Sequence, residues 1–377
     1  MVFFDVVFFS AIAPLLPEYV AELGLSKAEA GVLSASYAAG TLFFALPAGF
    51  LAARLGAKRT VIAGLLLLGC ASVVFGFAHE YFLLDAARFS QGMAGALIWT
   101  GALTWLVITA ESDNRGTVIG TALGAAVGGA LVGPALGALA GEVGTEEVFG
   151  GVLAVAVLLA VIAWHLDERG TPERQDLRVV IETMLSRPIL LGTFFVTVPS
   201  VMFGAVEVLA PLRIADLGGG HSLIAAGFIA GAALEALLAP LAGRYSDRAG
   251  RRGPYAFGLA VCAVAIVTIA VGATMGIVMA GLMLTSLGGG VCFTPALTML
   301  TEVAESSRLH QGFAAGLSNI AWASGQVAGG LAAGALAGVA GDATPAAGIA
   351  VLLLLTACYA HSALAPPSVQ PAEGGGG

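Results

Sequence analysis

Long apolar runs alternate with short polar connections along the whole of this chain of 377 residues. Each run holds about 20 residues, which is the length that a helix rising 1.5 Å per residue needs to cross a bilayer. Strands are not expected, because a membrane barrel shows short segments of alternating hydrophobicity instead. The pattern predicts an all-α membrane protein with twelve spanning helices, helices 1 to 12 in chain order.

The apolar runs also set the approximate bounds of these helices. Helix 1 starts at once with Met1 and ends near Tyr19, so either its first turn is missing or it begins partway into the membrane. The other eleven are predicted at 28–52, 59–78, 81–109, 116–141, 147–165, 188–214, 222–243, 254–272, 275–300, 311–340 and 345–363.

A polar stretch at 166–187 divides the helices into two groups of six. Five apolar residues in it fall on one helical face, which predicts an amphipathic helix on the membrane surface; a solvated linker with accidental periodicity is the alternative. These residues are Leu177, Val180, Ile181, Met184 and Leu185. The predicted organisation is an N-terminal six-helix bundle at 1–165, a linker at 166–187, a C-terminal six-helix bundle at 188–364 and a disordered tail at 365–377, which is rich in proline and glycine.

The two bundles carry traces of one repeated unit. The turn Gly243–Arg252, G-R-Y-S-D-R-A-G-R-R, has a fainter copy at Gly49–Arg59, 194 residues earlier (243 − 49). Four glycines of helix 5 recur in helix 11 at an offset of 196 (312 − 116): Gly116, Gly120, Gly129 and Gly133 match Gly312, Gly316, Gly325 and Gly329. Two parallel halves with a binding site between them near the midplane are a transporter architecture.

Basic side chains fall in every second connection between the predicted helices. By the positive-inside rule these connections face the cytoplasm, which places both termini there. The expected location of the protein is the plasma membrane. Lys27 is the exception. The basic residues concerned are Arg54, Lys58, Arg59, Arg115, Arg169, Arg174, Arg178, Arg187, Arg244, Arg248, Arg251, Arg252 and Arg308.

Composition agrees with the membrane prediction. The chain is 58% hydrophobic and 11% charged, whereas soluble domains carry about 25% charged residues. A net charge of −8 does not suggest a nucleic-acid partner. The cysteines, Cys70, Cys262, Cys292 and Cys358, stand singly in apolar runs without metal-ligand or redox spacing, and we expect them to be small buried hydrophobes.

Four sequence motifs resemble the major facilitator superfamily, in the order of that family's helices. Gly243–Arg252 fits the superfamily's loop motif between the second and third helix of a half. Arg88–Gly92, R-F-S-Q-G, is similar to its buried-arginine motif, and Gly129–Gly137 to the motif typical of drug:proton antiporters. The D-x8-P-x2-P pattern of Asp5–Pro17 resembles helix 1 of vesicular amine transporters and their bacterial multidrug relatives. The resemblance covers essentially the whole chain and implies two pseudo-symmetric six-helix bundles and an antiporter activity.

The chain departs from the family pattern at three places. Ala53 stands where the first-half loop motif has aspartate, so that half is expected to lack an acidic anchor. Gly288–Gly290 in helix 10 and Asn319 in helix 11 stand where amine transporters carry acidic residues. These departures argue against an amine substrate.

The turns and the glycine motif are expected to control conformation. The glycines permit close approach of helices, Pro134 bends helix 5 at the seam between the halves, and Asp247 with its neighbouring arginines can bridge helix ends and hold one state. The residues are Gly49, Arg54, Gly56 and Arg59 in the first turn, Gly129, Gly133, Pro134 and Gly137 in helix 5, and Gly243, Asp247, Arg248, Gly250, Arg251 and Arg252 in the second turn.

Few ionisable groups lie inside the predicted helices, where each costs roughly 2.5–3.5 kcal/mol. Glu235, near the middle of helix 8, is the first candidate for proton binding, because an apolar setting favours the protonated carboxyl. A glutamate that is merely hydrogen-bonded to a neighbouring helix is the alternative. Asp5 in helix 1 and Glu207 in helix 7 are further candidates; an interfacial position and a pairing with Arg213 are their respective alternatives.

Arg88 in helix 4 stays charged and therefore needs a carboxylate or carbonyl partner. Asp85, three residues earlier, can supply one within the same helix, and in the resembling antiporters an arginine at this place assists proton transfer. Counting 1.5 Å per residue separates Asp5 from Arg88 by more than about 10 Å in depth, so these two are not expected to pair. Gln91 and Asn319 complete the expected proton-coupling and substrate cavity.

The leading hypothesis is a secondary active transporter that exports small hydrophobic or amphipathic compounds in exchange for protons, by alternating access. The alternative is a proton-coupled uptake carrier for a metabolite such as a sugar, an organic acid or an amino acid. The expected partners are a small-molecule substrate, protons and the lipid bilayer; a monomer without metal or cofactor is expected. An enzyme is not expected, because the sequence holds no recognisable nucleophile–base pair, metal cluster or phosphate loop.

Overall fold

The computed structural model describes residues 1–110, 115–168, 176–307, 309 and 311–363, and every regular element in them is a helix. Twelve helices of this part of the chain are long and apolar enough to cross a membrane, which confirms the predicted number. Their bounds are Val2–Leu23, Lys27–Leu55, Ala57–Gly76, Tyr81–Thr109, Arg115–Val143, Thr145–His165, Arg187–Asp216, His221–Ala249, Arg252–Val271, Met275–Ser306, Gln311–Ala340 and Ala343–Ala363.

Three helices end at least one full turn later than the apolar runs predict. Helix 1 reaches Leu23 rather than Tyr19, and helices 8 and 10 reach Ala249 and Ser306. The added turns are polar, with Arg244 among them. An apolar run marks the part of a helix inside the membrane, and the helix itself continues into the polar region.

Helix 1 is interrupted near its middle, where Val2–Ser10 gives way to Ile12–Leu23. Pro14 has no N–H group and cannot donate to the carbonyl of Ser10, so the helical hydrogen-bond ladder is broken at this point. The interruption lies close to the carbonyl groups of Phe8 and Phe9, which accept hydrogen bonds from Arg88 of helix 4.

Glycines allow helices of one half to touch backbone to backbone. A Cβ on Gly92 of helix 4 would lie 1.8 Å from the carbonyl oxygen of Tyr37 in helix 2, and one on Gly40 would lie 1.9 Å from a carbonyl oxygen of helix 4. The second half repeats the arrangement, since a Cβ on Gly329 of helix 11 would lie 1.9 Å from the carbonyl oxygen of Val201 in helix 7. Only glycine fits at these crossings.

Gly92→Ala is expected to lower the free energy of unfolding by about 3 kcal/mol, because the new methyl group meets backbone atoms that cannot turn aside. Thermal unfolding of the purified protein in detergent measures the loss. Gly124→Ala is the matched control, since a Cβ at that position would have no atom within 4 Å apart from its chain neighbours and the backbone of its own helix. Equal transition temperatures for the two variants would contradict the packing of helices 2 and 4.

The glycine motif of helix 5 faces helix 1 of the same half rather than the seam. Cβ atoms on Gly129, Gly133 and Gly137 would lie 2.6, 2.0 and 2.0 Å from atoms of helix 1. Helix 5 meets the second half instead at Gly141, where a Cβ would lie 2.6 Å from the His221 ring of helix 8. The motif therefore joins helices 1 and 5 into one unit.

Helices 2 and 11 pack together across the seam between the halves. A Cβ on Gly31 would lie 2.6 Å from the carbonyl oxygen of Gly330 and 2.9 Å from the Cα atom of Gly334. Near the other end of helix 2, a Cβ on Gly49 would lie 3.1 Å from the ring of Phe313 in helix 11.

Part of the linker forms a short helix, Leu177–Met184. Asp176 caps it by accepting from the backbone N–H of Arg178 at 2.9 Å. The predicted apolar face is divided: Val180 and Met184 are buried against the protein, whereas Ile181 and Leu185 are exposed. Residues 169–175 and the tail at 365–377 lie outside the described part, and the division into domains stays a prediction.

The prediction of four buried cysteines is wrong for two of them. Cys262 and Cys292 are buried in the second half, but Cys70 and Cys358 are exposed on helices 3 and 12. The outer surface of a membrane protein is itself apolar, so an apolar run does not separate a lipid-facing cysteine from a core cysteine.

Candidate functional site

A cluster of charged, amide and aromatic side chains lies where helices 1, 2 and 4 of the first half meet helices 7 and 11 of the second. Asp5, Arg88 and Gln326 are respectively 1%, 2% and 4% exposed. Ionisable groups buried to this degree inside membrane helices are expected to serve function.

Arg88 binds two backbone carbonyl groups beside the interruption of helix 1. Its Nη1 atom donates to the carbonyl of Phe8 at 3.0 Å and its Nη2 atom to that of Phe9 at 3.2 Å. Nη1 also lies 3.0 Å from Oε1 of Gln91, whose Nε2 atom donates to Ser72 at 3.0 Å. Gln91 is fully buried and therefore supports Arg88 from behind.

The expected partner of Arg88 within helix 4 is not used. Asp85 accepts a hydrogen bond from Ser36 at 2.9 Å, and no ion pair joins it to Arg88 among the described residues. Two carbonyl groups of helix 1 accept from its terminal nitrogens instead, while its Nε atom has no hydrogen-bond partner among the described residues, so Arg88 ties helix 4 to helix 1.

Tyr37 connects Asp5 with Arg88. Its hydroxyl donates to Oδ1 of Asp5 at 2.7 Å, and the guanidinium lies over its ring at 5.0 Å from the centroid, within the range of a cation–π interaction. Asp5 and Arg88 form no direct ion pair, as expected, but the depth estimate separated them too far, because Arg88 reaches to within one helical turn of Asp5. The Oδ2 atom of Asp5 has no hydrogen-bond partner among the described residues.

Glu207 brings a second carboxylate to the cluster, from the other half. It interacts electrostatically with Arg88, and the Gln326 amide of helix 11 lies beside its carboxyl group. The alternative pairing with Arg213 is not formed, since Arg213 donates to the carbonyl of Gly272 at 2.8 and 3.0 Å. Oε1 of Gln326 has no hydrogen-bond partner in the described part of the chain.

Aromatic rings continue the cluster across the seam. The Phe9 ring of helix 1 lies 5.0 Å from that of Tyr37 and 5.2 Å from that of Trp322 in helix 11. Apolar ring faces beside unpartnered acceptor atoms suit a ligand that is both apolar and polar.

Two predicted site residues lie elsewhere. Glu235 faces Gly290 of helix 10 within the second half, and no hydrogen bond or ion pair joins it to another described residue. Asn319 of helix 11 faces Thr100 of helix 4 across the seam, with Nδ2 3.5 Å from Oγ1. The sequence thus names the separate members of the site but not their grouping.

The predicted turns lie at one end of the bundle, the linker end, opposite the far end, which carries Lys27 and Asp342. At the linker end Arg54 stacks over the ring of Phe50 at 4.1 Å, and Arg251 pairs with Glu302 at the end of helix 10. The side chain of Asp247 lies outside the described part. Glu302, an ordinary exposed glutamate in the sequence, carries no signal of this role.

Polar contacts join the two halves at the far end. Lys27 pairs with Asp342 at 2.6 Å. Beside this pair, Nε2 of His221 lies 3.2 Å from Glu18, and Ser222 donates to Glu142 at 2.8 Å. These contacts and the packing of Gly31 close the seam at this end.

Lys27→Asp is expected to loosen the far end, because it replaces an attraction of about 1 kcal/mol by a repulsion. With the exposed Cys70 and Cys358 replaced by serine, a cysteine placed at buried Ala35 should then react with an impermeant maleimide about fivefold faster. The double exchange of Lys27→Asp with Asp342→Lys should return labelling to its original rate. Unchanged labelling in the single variant would show that the pair does not hold the seam.

Two bundles of six spanning helices, with buried charges where the bundles meet, are the architecture of a secondary transporter. The sequence model of the Major Facilitator Superfamily matches residues 1–235 and 205–376, and the chain therefore belongs to this superfamily.

Similar curated proteins and solved structures agree with this assignment. The quinolone resistance protein NorA of Staphylococcus aureus is 24% identical over 210 residues, 54% of this chain and 54% of NorA. The MFS-type transporter ppzB of Metarhizium majus is 32% identical over 124 residues, 31% of this chain and 27% of ppzB. The matched segments span about half or less of these relatives.

The fold is similar to that of a bacterial homolog of the human lysosomal transporter Spinster. Its inward-facing, unoccupied structure gives a TM-score of 0.78 at 13% identity, and the inward-facing, occupied structure gives 0.75 at 15%. Both comparisons cover 96% of this chain and 94% of the other. At such identity the likeness concerns the fold.

Proposed function

We propose that the protein exports small hydrophobic or amphipathic compounds in exchange for protons. The observation that carries this proposal is that carboxylates from both halves, Asp5 and Glu207, act on one arginine, Arg88. Neutralising either carboxylate with a proton weakens its attraction to Arg88. Protonation is thereby linked to the relative position of the halves, as alternating access requires.

In the proposed cycle the linker end faces the cytoplasm, in accordance with its basic residues. Substrate binds among the aromatic rings of Phe9, Tyr37 and Trp322, and the far end then opens by parting Lys27 from Asp342. Protons then enter from outside and bind to the carboxylates, and the protein returns to its starting conformation. One proton crossing about 100 mV yields about 2.3 kcal/mol, enough for a roughly 50-fold gradient of a neutral solute. A monomer in the plasma membrane suffices for this cycle.

The other predicted residues take secondary roles. Gln91 positions Arg88. The contact of Asn319 with Thr100 aligns helices 4 and 11 where the two halves meet. Glu235 is a separate proton-binding candidate inside the second half. The two turns govern the change of conformation, and the glycine motif of helix 5 makes helices 1 and 5 move together during it.

Drug export is favoured over uptake of an anionic metabolite by two observations. Both terminal nitrogens of Arg88 already donate to carbonyl groups or to Gln91, and the carboxylates of Asp5 and Glu207 act on the same guanidinium, so an anionic substrate would have to compete with them. In addition, the relative NorA is a quinolone resistance protein. An uptake carrier for a sugar, an organic acid or an amino acid is the competing function.

A transport screen in proteoliposomes with an imposed pH gradient tests the proposal. Quinolones, ethidium and a bisbenzimide dye represent the proposed substrates; a sugar, an organic acid and an amino acid represent the competing class. Transport of a drug-like probe opposite to the proton flux supports export. Transport of a metabolite alone, or drug transport that is indifferent to the gradient, refutes it.

A further inference from the structure

The repeated turn has its own carboxylate in only one half. Asp247 of the second turn corresponds, 194 residues earlier (247 − 53), to Ala53 of the first. The last glycine of each turn nevertheless has nearly the same backbone conformation: Gly56 has φ +93° and ψ 153°, and Gly250 has φ +82° and ψ 157°. The first half therefore forms this turn without an acidic side chain of its own.

Glu168, from the start of the linker, supplies a carboxylate to the first turn. Its Oε1 atom accepts from the backbone N–H of Lys58 at 3.1 Å. A Cβ on Gly56 would lie 3.0 and 3.1 Å from its two carboxylate oxygens. Lys58 is the second residue of helix 3, whose first N–H groups have no partner inside the helix. A carboxylate at this place satisfies one such group and complements the helix dipole.

Further contacts hold the same stretch of chain to the first half. Nζ of Lys58 donates to the carbonyl groups of Trp164 and Leu166, the latter at 2.7 Å. Nε1 of Trp105 in helix 4 donates to the carbonyl of Asp167 at 3.3 Å. Residues 164–168 are thus fastened to helices 3 and 4, and Glu168 is the member of this stretch that reaches the turn.

We propose that Glu168 is a positioning residue that takes the place of the carboxylate missing at Ala53 and fastens the linker to the first-half turn. The turn of the first half is then held by the segment that leads to the second half. The contact to the turn stands on geometry alone, whereas its effect on transport rests on the proposed function.

Hydrogen exchange measured by mass spectrometry on the full-length protein in nanodiscs tests the contact. Glu168→Ala should raise exchange at the Lys58 amide about tenfold, and the isosteric Glu168→Gln should raise it less. Glu182→Ala is the matched control, since it removes an exposed linker carboxylate whose one hydrogen-bond partner among the described residues is Arg178. Adding Ala53→Asp to Glu168→Ala should restore protection. Unchanged exchange in Glu168→Ala, or no restoration by Ala53→Asp, overturns the proposal.

Transport of a bisbenzimide dye by the same variants tests the consequence. Glu168 is remote from Asp5 and Arg88, so Glu168→Ala should lower the maximal rate about fivefold and leave the half-saturating dye concentration unchanged. Ala53→Asp should recover at least half of the rate. A normal maximal rate in Glu168→Ala refutes a positioning role in the cycle. Absence of dye transport by the unaltered protein would count against the proposed function instead, and the exchange result would then decide the proposal.

Discussion

Asp5→Asn is expected to reduce transport driven by a pH gradient at least 100-fold. Asparagine has the size of aspartate, and its carbonyl oxygen can still accept from the Tyr37 hydroxyl, which lies 2.7 Å from Asp5. It cannot take up or release a proton. The variant should therefore fold normally and retain exchange of substrate down its own gradient, while the response to protons is lost. A pH-sensitive dye inside proteoliposomes records the proton flux that accompanies substrate.

Glu207→Gln is expected to have the same effect, and Glu235→Gln a smaller one. Glu207 shares Arg88 with Asp5, whereas Glu235 has no charged partner among the described residues. Glu22→Gln serves as the control, since Glu22 is exposed at the far end. Full proton coupling in both Asp5→Asn and Glu207→Gln would refute the assigned coupling role. A larger loss in Glu235→Gln would move that role into the second half.

Arg88→Lys is expected to abolish transport and to lower the free energy of unfolding by about 3 kcal/mol. The planar guanidinium reaches Phe8, Phe9 and Gln91 at once, and a lysine ammonium cannot span the same three acceptors. The carbonyl groups left without a donor are buried and cannot turn to water. Helix 1 should then lose its fixed position against helix 4.

Thermal unfolding and substrate exchange of the purified variant measure the two effects separately. Arg213→Lys is the matched control, because Arg213 also binds a backbone carbonyl but belongs to the second half, away from the cluster. Normal exchange in Arg88→Lys would mean that charge alone suffices and that the bonds to helix 1 are dispensable.

The fold could be predicted from the sequence because the bilayer imposes its thickness on the apolar runs. Twelve apolar runs correspond to twelve helices, and the main errors are the turns that extend a helix beyond its run and the interruption of helix 1. The site could be predicted only in part. Asp5, Arg88 and Glu207 stand out as charges in apolar surroundings, but their grouping depends on helix rotation, which hydropathy does not encode.

Counting depth along a helix ranked Glu235 first, since it lies near the middle of helix 8. Such counting could not show that Tyr37 bridges Asp5 and Arg88, because it places every polar group at the depth of its own backbone. A long side chain can carry its polar atom about one helical turn away from that depth. Glu168 was missed as a member of the turn, and the contact of Gln326 with Glu207 could not be foreseen, for a related reason. Each acts through a neighbour on another segment, and one sequence shows no such pairing.

The positions of the native cysteines allow conformational changes to be measured in the unaltered protein. Cys70 on helix 3 and Cys358 on helix 12 are exposed, one in each half, while Cys262 and Cys292 are buried. Membrane-permeable spin labels should therefore attach at one site per half without any substitution. Pulsed electron resonance between them reads the separation of the halves directly, so the change on lowering the pH or adding substrate can be followed in the native sequence.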